Sequence, residues 1–136
     1  MLSARLREIV DALPLKPGSR ILEIGCGTGA AAHEVAARIA PGQVLGIDRS
    51  PRAIAQATAL YGDTPNLSFR VAAVEDFELV DGEDPFDVAF AVRVGALDGR
   101  HPELEERARR AIHNVLAAHG RLYIDGGDPL REIPLP

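Results

Sequence analysis

One stretch of the chain combines a carboxylate with glycines at a spacing that suits ligand binding. Glu23 is followed by Gly25, Gly27 and Gly29, so glycine stands at every second position after the acid. Glycine has no Cβ and readily adopts positive φ, so such a loop can turn tightly and let a ligand approach its backbone. A carboxylate here would repel a pyrophosphate but attract ammonium or sulfonium charges. The stretch therefore predicts a binding loop for a small ligand with positive charge.

A second pattern overlaps the first. Gly25-x-Gly27-x-x-Ala30 satisfies the G-x-G-x-x-G/A fingerprint of dinucleotide binding, and an acid, Asp48, follows about 20 residues later. The fingerprint is weak by itself, and Glu23 disfavours a pyrophosphate. A dinucleotide site and a purely structural glycine turn remain the alternatives to a cation-binding loop.

The elements around the loop would place it at one edge of a sheet. Residues 21–24 are a short apolar run that predicts a buried parallel strand, and the alanine-rich segment 30–40 predicts a helix directly after the glycines. Residues 43–47 predict a second strand that ends before Asp48. Ser50 and Pro51 then provide a helix cap and a first-turn proline. A glycine loop between a strand and a helix is typical of sites that bind nucleotides.

The sequence Ile-Gly-Cys-Gly-Thr-Gly after Glu23 resembles motif I of class I S-adenosylmethionine-dependent methyltransferases. The resemblance implies that S-adenosylmethionine is the cofactor and that its methyl group is transferred to a nucleophile, which we expect to be a small molecule. It also implies that Asp48 accepts hydrogen bonds from both ribose hydroxyls. The cofactor-binding residues expected from the resemblance are Glu23, Gly25, Cys26, Gly27, Gly29, Asp48, Arg49, Ala73, Val74, Glu75 and Ala91.

The sequence departs from this family after its third predicted strand, residues 67–72. Many members have an aspartate there that accepts from the adenine amino group, but this chain has Ala73. We therefore assign adenine recognition to the backbone near Ala73 and Val74, or to the side chain of Glu75 or Asp76.

The resemblance implies a three-layer α/β/α Rossmann-like methyltransferase fold with a parallel sheet of about five strands in the order 3-2-1-4-5. The fourth and fifth strands are predicted at 86–92 and 121–125, separated by a helix from 102 to about 119. We expect residues 1–136 to form a single domain, with an N-terminal helix within 1–14 and an irregular tail at 126–136. The closing β-hairpin of the family is expected to be missing or reduced.

Candidate catalytic residues follow the fourth strand. Arg93 could hold a carboxylate or phosphate of the acceptor, and Asp98 or His101 could accept a proton. No cluster of His, Asp or Glu has the spacing of metal ligands, so no metal is expected.

Composition limits the binding partners and the cysteine chemistry that we expect. The net charge of −5 gives no strong signal for nucleic acid or an anionic membrane, and one cysteine excludes an intrachain disulfide. The first residues lack a signal peptide, so we expect a cytoplasmic protein.

The fifth strand is expected to be a free sheet edge, which favours a homodimer or a partner subunit. A non-catalytic cofactor-binding or scaffold module that needs a partner is the other function we consider.

Overall fold

The computed structural model describes residues 2–136 as helices and strands that alternate along most of the chain. A single 3-10 turn, Val74–Asp76, lies between the third and fourth strands. The helices are α1 (Ala4–Ala12), α2 (Ala30–Ile39), α3 (Pro51–Tyr61), α4 (Gly95–Asp98) and α5 (Pro102–Val115). The strands are β1 (Arg20–Ile24), β2 (Gln43–Asp48), β3 (Leu67–Val71), β4 (Phe86–Ala91), β5 (Leu116–Asp125) and β6 (Leu130–Ile133).

The strands form one sheet in the order β3-β2-β1-β4-β5-β6. The first five are parallel, which confirms the predicted order 3-2-1-4-5, and β6 is antiparallel to β5. From β1 the chain proceeds to β2 on one side and later returns to β4 on the other. In open α/β sheets, ligands bind outside the carboxyl ends of the strands at such a switch in direction.

Helices cover both faces of the sheet, because successive side chains of a strand point to opposite sides. Ile21 packs in one apolar cluster with Val10 of α1 and Val35 of α2. Its neighbour Leu22 packs in the other cluster, which contains Ile112 of α5. The arrangement confirms the predicted three-layer α/β/α architecture and fixes the strand ends that carry the site.

The junction between α5 and β5 differs from the prediction. The helix was expected to continue to about residue 119, but it ends at Val115, and β5 begins at Leu116. Leu116 pairs with Phe86 of β4, and the ladder resumes with Arg121 opposite Val88 after a register shift. Pairing with β4 therefore overrides the helical preference of the alanines at 117 and 118.

The expected irregular tail contains a strand. Leu130–Ile133 pairs with β5 from Leu122 to Asp125, so β5 is not the free sheet edge that was predicted. Proline cannot donate to a ladder and usually argues against a strand, but Pro129 and Pro134 flank β6 without interrupting it. The partner contact expected at the β5 edge loses its basis along this stretch, because β6 occupies it.

Candidate functional site

The glycine loop between β1 and α2 needs glycine for its backbone conformation. Gly25, Gly27 and Gly29 have φ of 68°, 56° and 91°, a region that residues with a Cβ rarely adopt. A Cβ at Gly25 would lie 2.7 Å from Val94 Cγ2, whereas a Cβ at Gly27 would have no atom within 4 Å. The loop therefore passes close to the segment after β4 while leaving open space above Gly27.

Asp48 ties this loop to the end of β2. Its Oδ2 accepts from the Gly27 N–H at 2.9 Å, and its Oδ1 accepts from the Ser50 N–H at 2.9 Å. A carboxylate has about four acceptor positions, so both oxygens keep capacity for further donors. Asp48 thus positions the loop and can still accept hydrogen bonds from a ligand.

Glu23 lies beneath the loop. Its side chain is buried, and Oε1 has no hydrogen-bond partner within residues 2–136. Burial raises the pKa of Glu23 from 4.5 to about 8; the Ala32 N–H opposes this rise, and the charge of Asp48 adds to it. A buried acid whose oxygen is unpaired costs free energy, which a positive charge nearby would recover.

Cys26 cannot serve as a nucleophile in this setting. Its side chain is buried against Gly46, and its Sγ lies 3.7 Å from the Gly27 carbonyl oxygen. Burial, and then the charges of Glu23 and Asp48, raise the pKa of the thiol to about 12. The thiolate is the reactive form, so Cys26 is chemically inert near neutral pH.

A cavity of about 260 Å³ opens at the carboxyl ends of β1, β2 and β4. It brings together residues from the glycine loop, the end of β2, the 3-10 turn and the segment after β4. Of the residues predicted to bind a cofactor, Gly25, Asp48, Arg49, Ala73, Val74 and Glu75 line it. The others, Glu23, Cys26, Gly27, Gly29 and Ala91, lie outside this lining.

Two of the three candidate catalytic residues, Arg93 and His101, also line the cavity. Asp98 does not line it. Arg100 Nε donates to both oxygens of Asp98, at 3.1 and 2.9 Å. These hydrogen bonds lower the pKa of Asp98, which makes it a poor proton acceptor. His101 keeps more than half of its side chain exposed. Of the two residues proposed to accept a proton, only His101 lines the cavity.

Six residues of the cavity wall were not among the candidates predicted from the sequence. Arg100 is the one with a charged side chain, and the others are small or apolar. Its position two residues after Asp98, in a loop that begins at the end of β4, was a signal that could have identified it. The lining residues that were missed are Ile24, Ala72, Val94, Gly95, Ala96 and Arg100.

Neither a membrane span nor a metal site is found in the part of the chain that the structure describes. No helix within residues 2–136 has the length and apolar character needed to cross a membrane. Over the same residues, His, Cys, Asp and Glu form no group of three or more that could hold a metal ion.

Comparison with known proteins agrees with this geometry. The model of a family described as a methyltransferase domain matches residues 15–134. A trans-aconitate 2-methyltransferase from Methylobacterium nodulans is 30% identical over 125 residues, which cover 92% of this chain and 45% of that protein. The chain spans from 25% to 56% of the length of the curated relatives it matches.

Two solved structures are similar in fold to this chain. A TehB-like S-adenosylmethionine-dependent methyltransferase from Corynebacterium glutamicum has a TM-score of 0.67 and 26% identity, covering 95% of this chain and 66% of that one. SpnF, described as a cyclase of the 4+2 type, has a TM-score of 0.72 and 31% identity, covering 88% of this chain and 43% of that one.

Proposed function

This chain belongs to the methyltransferase-domain family, and from that premise we propose that it binds S-adenosylmethionine in the cavity and transfers the methyl group to a small-molecule acceptor. The observation that carries the proposal is the position of Asp48. It lines the cavity at the end of β2, beside Gly25 of the glycine loop, and keeps free acceptor positions on both oxygens. An acid in this place suits a ligand with two adjacent hydroxyls.

The remaining residues fit the other parts of the cofactor. Ala73 and Val74 line the cavity with small or apolar surface and would contact the adenine ring, while Glu75 could accept from its amino group. Arg49 Nη2 lies 3.8 Å from Glu75 Oε2 and borders the same end. Beneath the loop, burial keeps Glu23 protonated near neutral pH, and its Oε1 is unpaired. A bound sulfonium nearby would favour the ionised carboxylate, so a cation suits this place.

Bound S-adenosylmethionine would supply an activated methyl group on a sulfonium. The chain's own contribution is then to hold the acceptor in line with that group and to exclude water. Arg93 and His101 line the cavity on the side of β4, where we place the acceptor. If the acceptor must lose a proton, His101 would take it.

One comparison favours a second function. SpnF shares this fold at 31% identity, yet its description names a cyclase and no methyl transfer. The fold can therefore serve a function other than methyl transfer, so the cofactor-binding module without methyl transfer considered above is our second candidate. A dinucleotide-binding domain is less well supported, because the family model that matches residues 15–134 describes a methyltransferase domain.

Turnover distinguishes these functions. We would incubate the protein with methyl-labelled S-adenosylmethionine and a panel of small carboxylic acids, phenols and amines that includes trans-aconitate, and follow label transfer and S-adenosylhomocysteine formation. Transfer to any acceptor would establish the enzyme, and His101→Ala should slow it if a proton must be removed. Cofactor binding without transfer would favour the non-catalytic module. Stabilisation against heat by NAD but not by S-adenosylhomocysteine would favour the dinucleotide domain.

A further inference from the structure

Arg93 has an unusual backbone conformation in the cavity wall. Its φ is 58°, and within residues 2–136 no other residue except glycine has a positive φ. A side chain with a Cβ is strained in this region, and such strain persists only where the surrounding structure enforces it. The conformation therefore indicates a position that is held for a purpose other than stability.

Side chains from two other segments hold this conformation. The Arg93 N–H donates to Asp125 Oδ1 at 3.0 Å, at the end of β5. The Arg93 carbonyl oxygen accepts from Arg100 Nη2 at 2.6 Å. Both backbone polar groups of the strained residue are thus fixed, which leaves the guanidinium as its one free functional group.

The charges around the cavity single out the same guanidinium. Arg49 lies 3.8 Å from Glu75, and Arg100 pairs with Asp98 at 2.9 Å. Within residues 2–136, Arg93 forms hydrogen bonds only through its backbone, and its guanidinium has neither a carboxylate oxygen within 4.0 Å nor a hydrogen-bond acceptor. Asp125 faces the backbone of Arg93, and its Oδ2 lies 3.4 Å from Arg5 Nη2. One uncompensated positive charge therefore lines the cavity on the acceptor side.

We propose that the guanidinium of Arg93 binds a carboxylate group of the methyl acceptor, an inference that rests on the proposed function. A guanidinium presents two parallel N–H groups that match the two oxygens of a carboxylate. Each carboxylate group carries one negative charge, which the one free guanidinium neutralises, and a second carboxylate of the same molecule can stay in solvent. A phosphate dianion carries two charges on one group and would need a second cation there, but Arg49 lies near Glu75 and Arg100 pairs with Asp98. Asp125 and Arg100 are positioning residues that aim this group.

The experiment compares three small probes: succinate, its neutral diamide succinamide, which matches it in size, and inorganic phosphate. Each is titrated into the isotope-labelled protein, with and without saturating S-adenosylhomocysteine, and binding is followed by NMR through the arginine Nε–H signals. We expect succinate to shift the Arg93 signal and to bind at least about tenfold more tightly than succinamide, since a charged hydrogen-bonding pair is lost in the diamide. Phosphate should bind more weakly than succinate.

Variants test the assignment to Arg93. Arg93→Gln should weaken succinate binding by about tenfold or more. Arg93→Lys should weaken it less, because lysine keeps the positive charge but lacks the two parallel N–H groups of a guanidinium. Arg7→Gln is the matched control, since Arg7 is exposed, has no ion pair within residues 2–136, and does not line the cavity. This control should leave succinate binding unchanged.

The outcomes separate this inference from the proposed function. Tighter binding of phosphate, equal binding of succinamide, or succinate binding that survives Arg93→Gln would overturn the carboxylate assignment, even if S-adenosylhomocysteine binds normally. Succinate binding that depends on Arg93 would support the assignment. If that dependence is found in a protein that does not bind S-adenosylhomocysteine, the carboxylate site stands and the cofactor assignment fails.

Discussion

Replacing Glu23 by glutamine should make the free energy of unfolding less dependent on pH. Burial raises the pKa of this carboxyl from 4.5 to about 8, so the folded protein holds a proton that the unfolded chain releases. Well below pH 4.5 the carboxyl is protonated in both the folded and the unfolded state, so its ionisation does not lower the free energy of unfolding. As pH rises towards 8, the unfolded state ionises first, so stability falls by about 1.4 kcal/mol per pH unit.

The full effect is reached above pH 8 and amounts to on the order of 5 kcal/mol, a large fraction of the about 5–15 kcal/mol that stabilises a typical domain. Glutamine has nearly the same shape and cannot ionise, so Glu23→Gln removes this cost. The stability gained by the variant over the wild type should therefore grow from pH 5 to pH 8 and then level off.

Urea unfolding followed by circular dichroism at half-unit steps from pH 5 to pH 9 measures this difference directly. Glu8→Gln is the control, because Glu8 is exposed on α1 and forms no ion pair within residues 2–136. The free energy of unfolding of this variant should differ from that of the wild type by less than about 0.5 kcal/mol. A difference between Glu23→Gln and wild type that stays constant over this range would refute the buried, protonated carboxyl.

Three further predictions concern the loop and the acceptor side. Gly27→Ala and Gly18→Ala each place a Cβ at positive φ in open space, so each should lose about 1–2 kcal/mol of stability. Calorimetry should show weaker S-adenosylhomocysteine binding for Gly27→Ala only, and equal affinities would contradict the loop's role. Cys26 should react with iodoacetamide far more slowly in the folded protein than in urea at pH 8, because its pKa is raised to about 12; equal rates by mass spectrometry would disprove its burial. Asp125→Ala should weaken succinate binding by about 2- to 12-fold, as expected for one lost hydrogen bond to Arg93, and should leave S-adenosylhomocysteine binding intact. Unchanged succinate affinity would show that Asp125 does not position Arg93.

The central part of the fold could be predicted because its signals are local. The apolar run at 21–24, the glycines and the capped helix start at Ser50 each specify their own structure. The sheet order and the grouping of Gly25 with Asp48 then follow from the topology that the resemblance implies.

The secondary-structure features that were missed depend on contacts distant in sequence. The early end of α5 follows from the pairing of Leu116 with Phe86, and β6 forms because β5 offers an unpaired edge. Arg100 lies close in sequence to both of its partners, Asp98 and Arg93, so its spacing from Asp98 could have identified it. Its hydrogen bond to the Arg93 carbonyl depends on the path of the loop after β4, which the spacing does not specify.

Calorimetric titration with S-adenosylhomocysteine tests whether the cavity beside Asp48 is a cofactor site. The wild type is compared with Asp48→Ala, with Asp48→Asn, which keeps one oxygen for the loop, and with the control Asp81→Ala in an exposed loop away from the cavity. We predict micromolar binding by wild type and Asp81→Ala, and a loss of at least about tenfold in both Asp48 variants, since charged hydrogen bonds to ligand hydroxyls are removed. Undiminished binding by folded Asp48→Ala, or no binding by the wild type, would contradict the account.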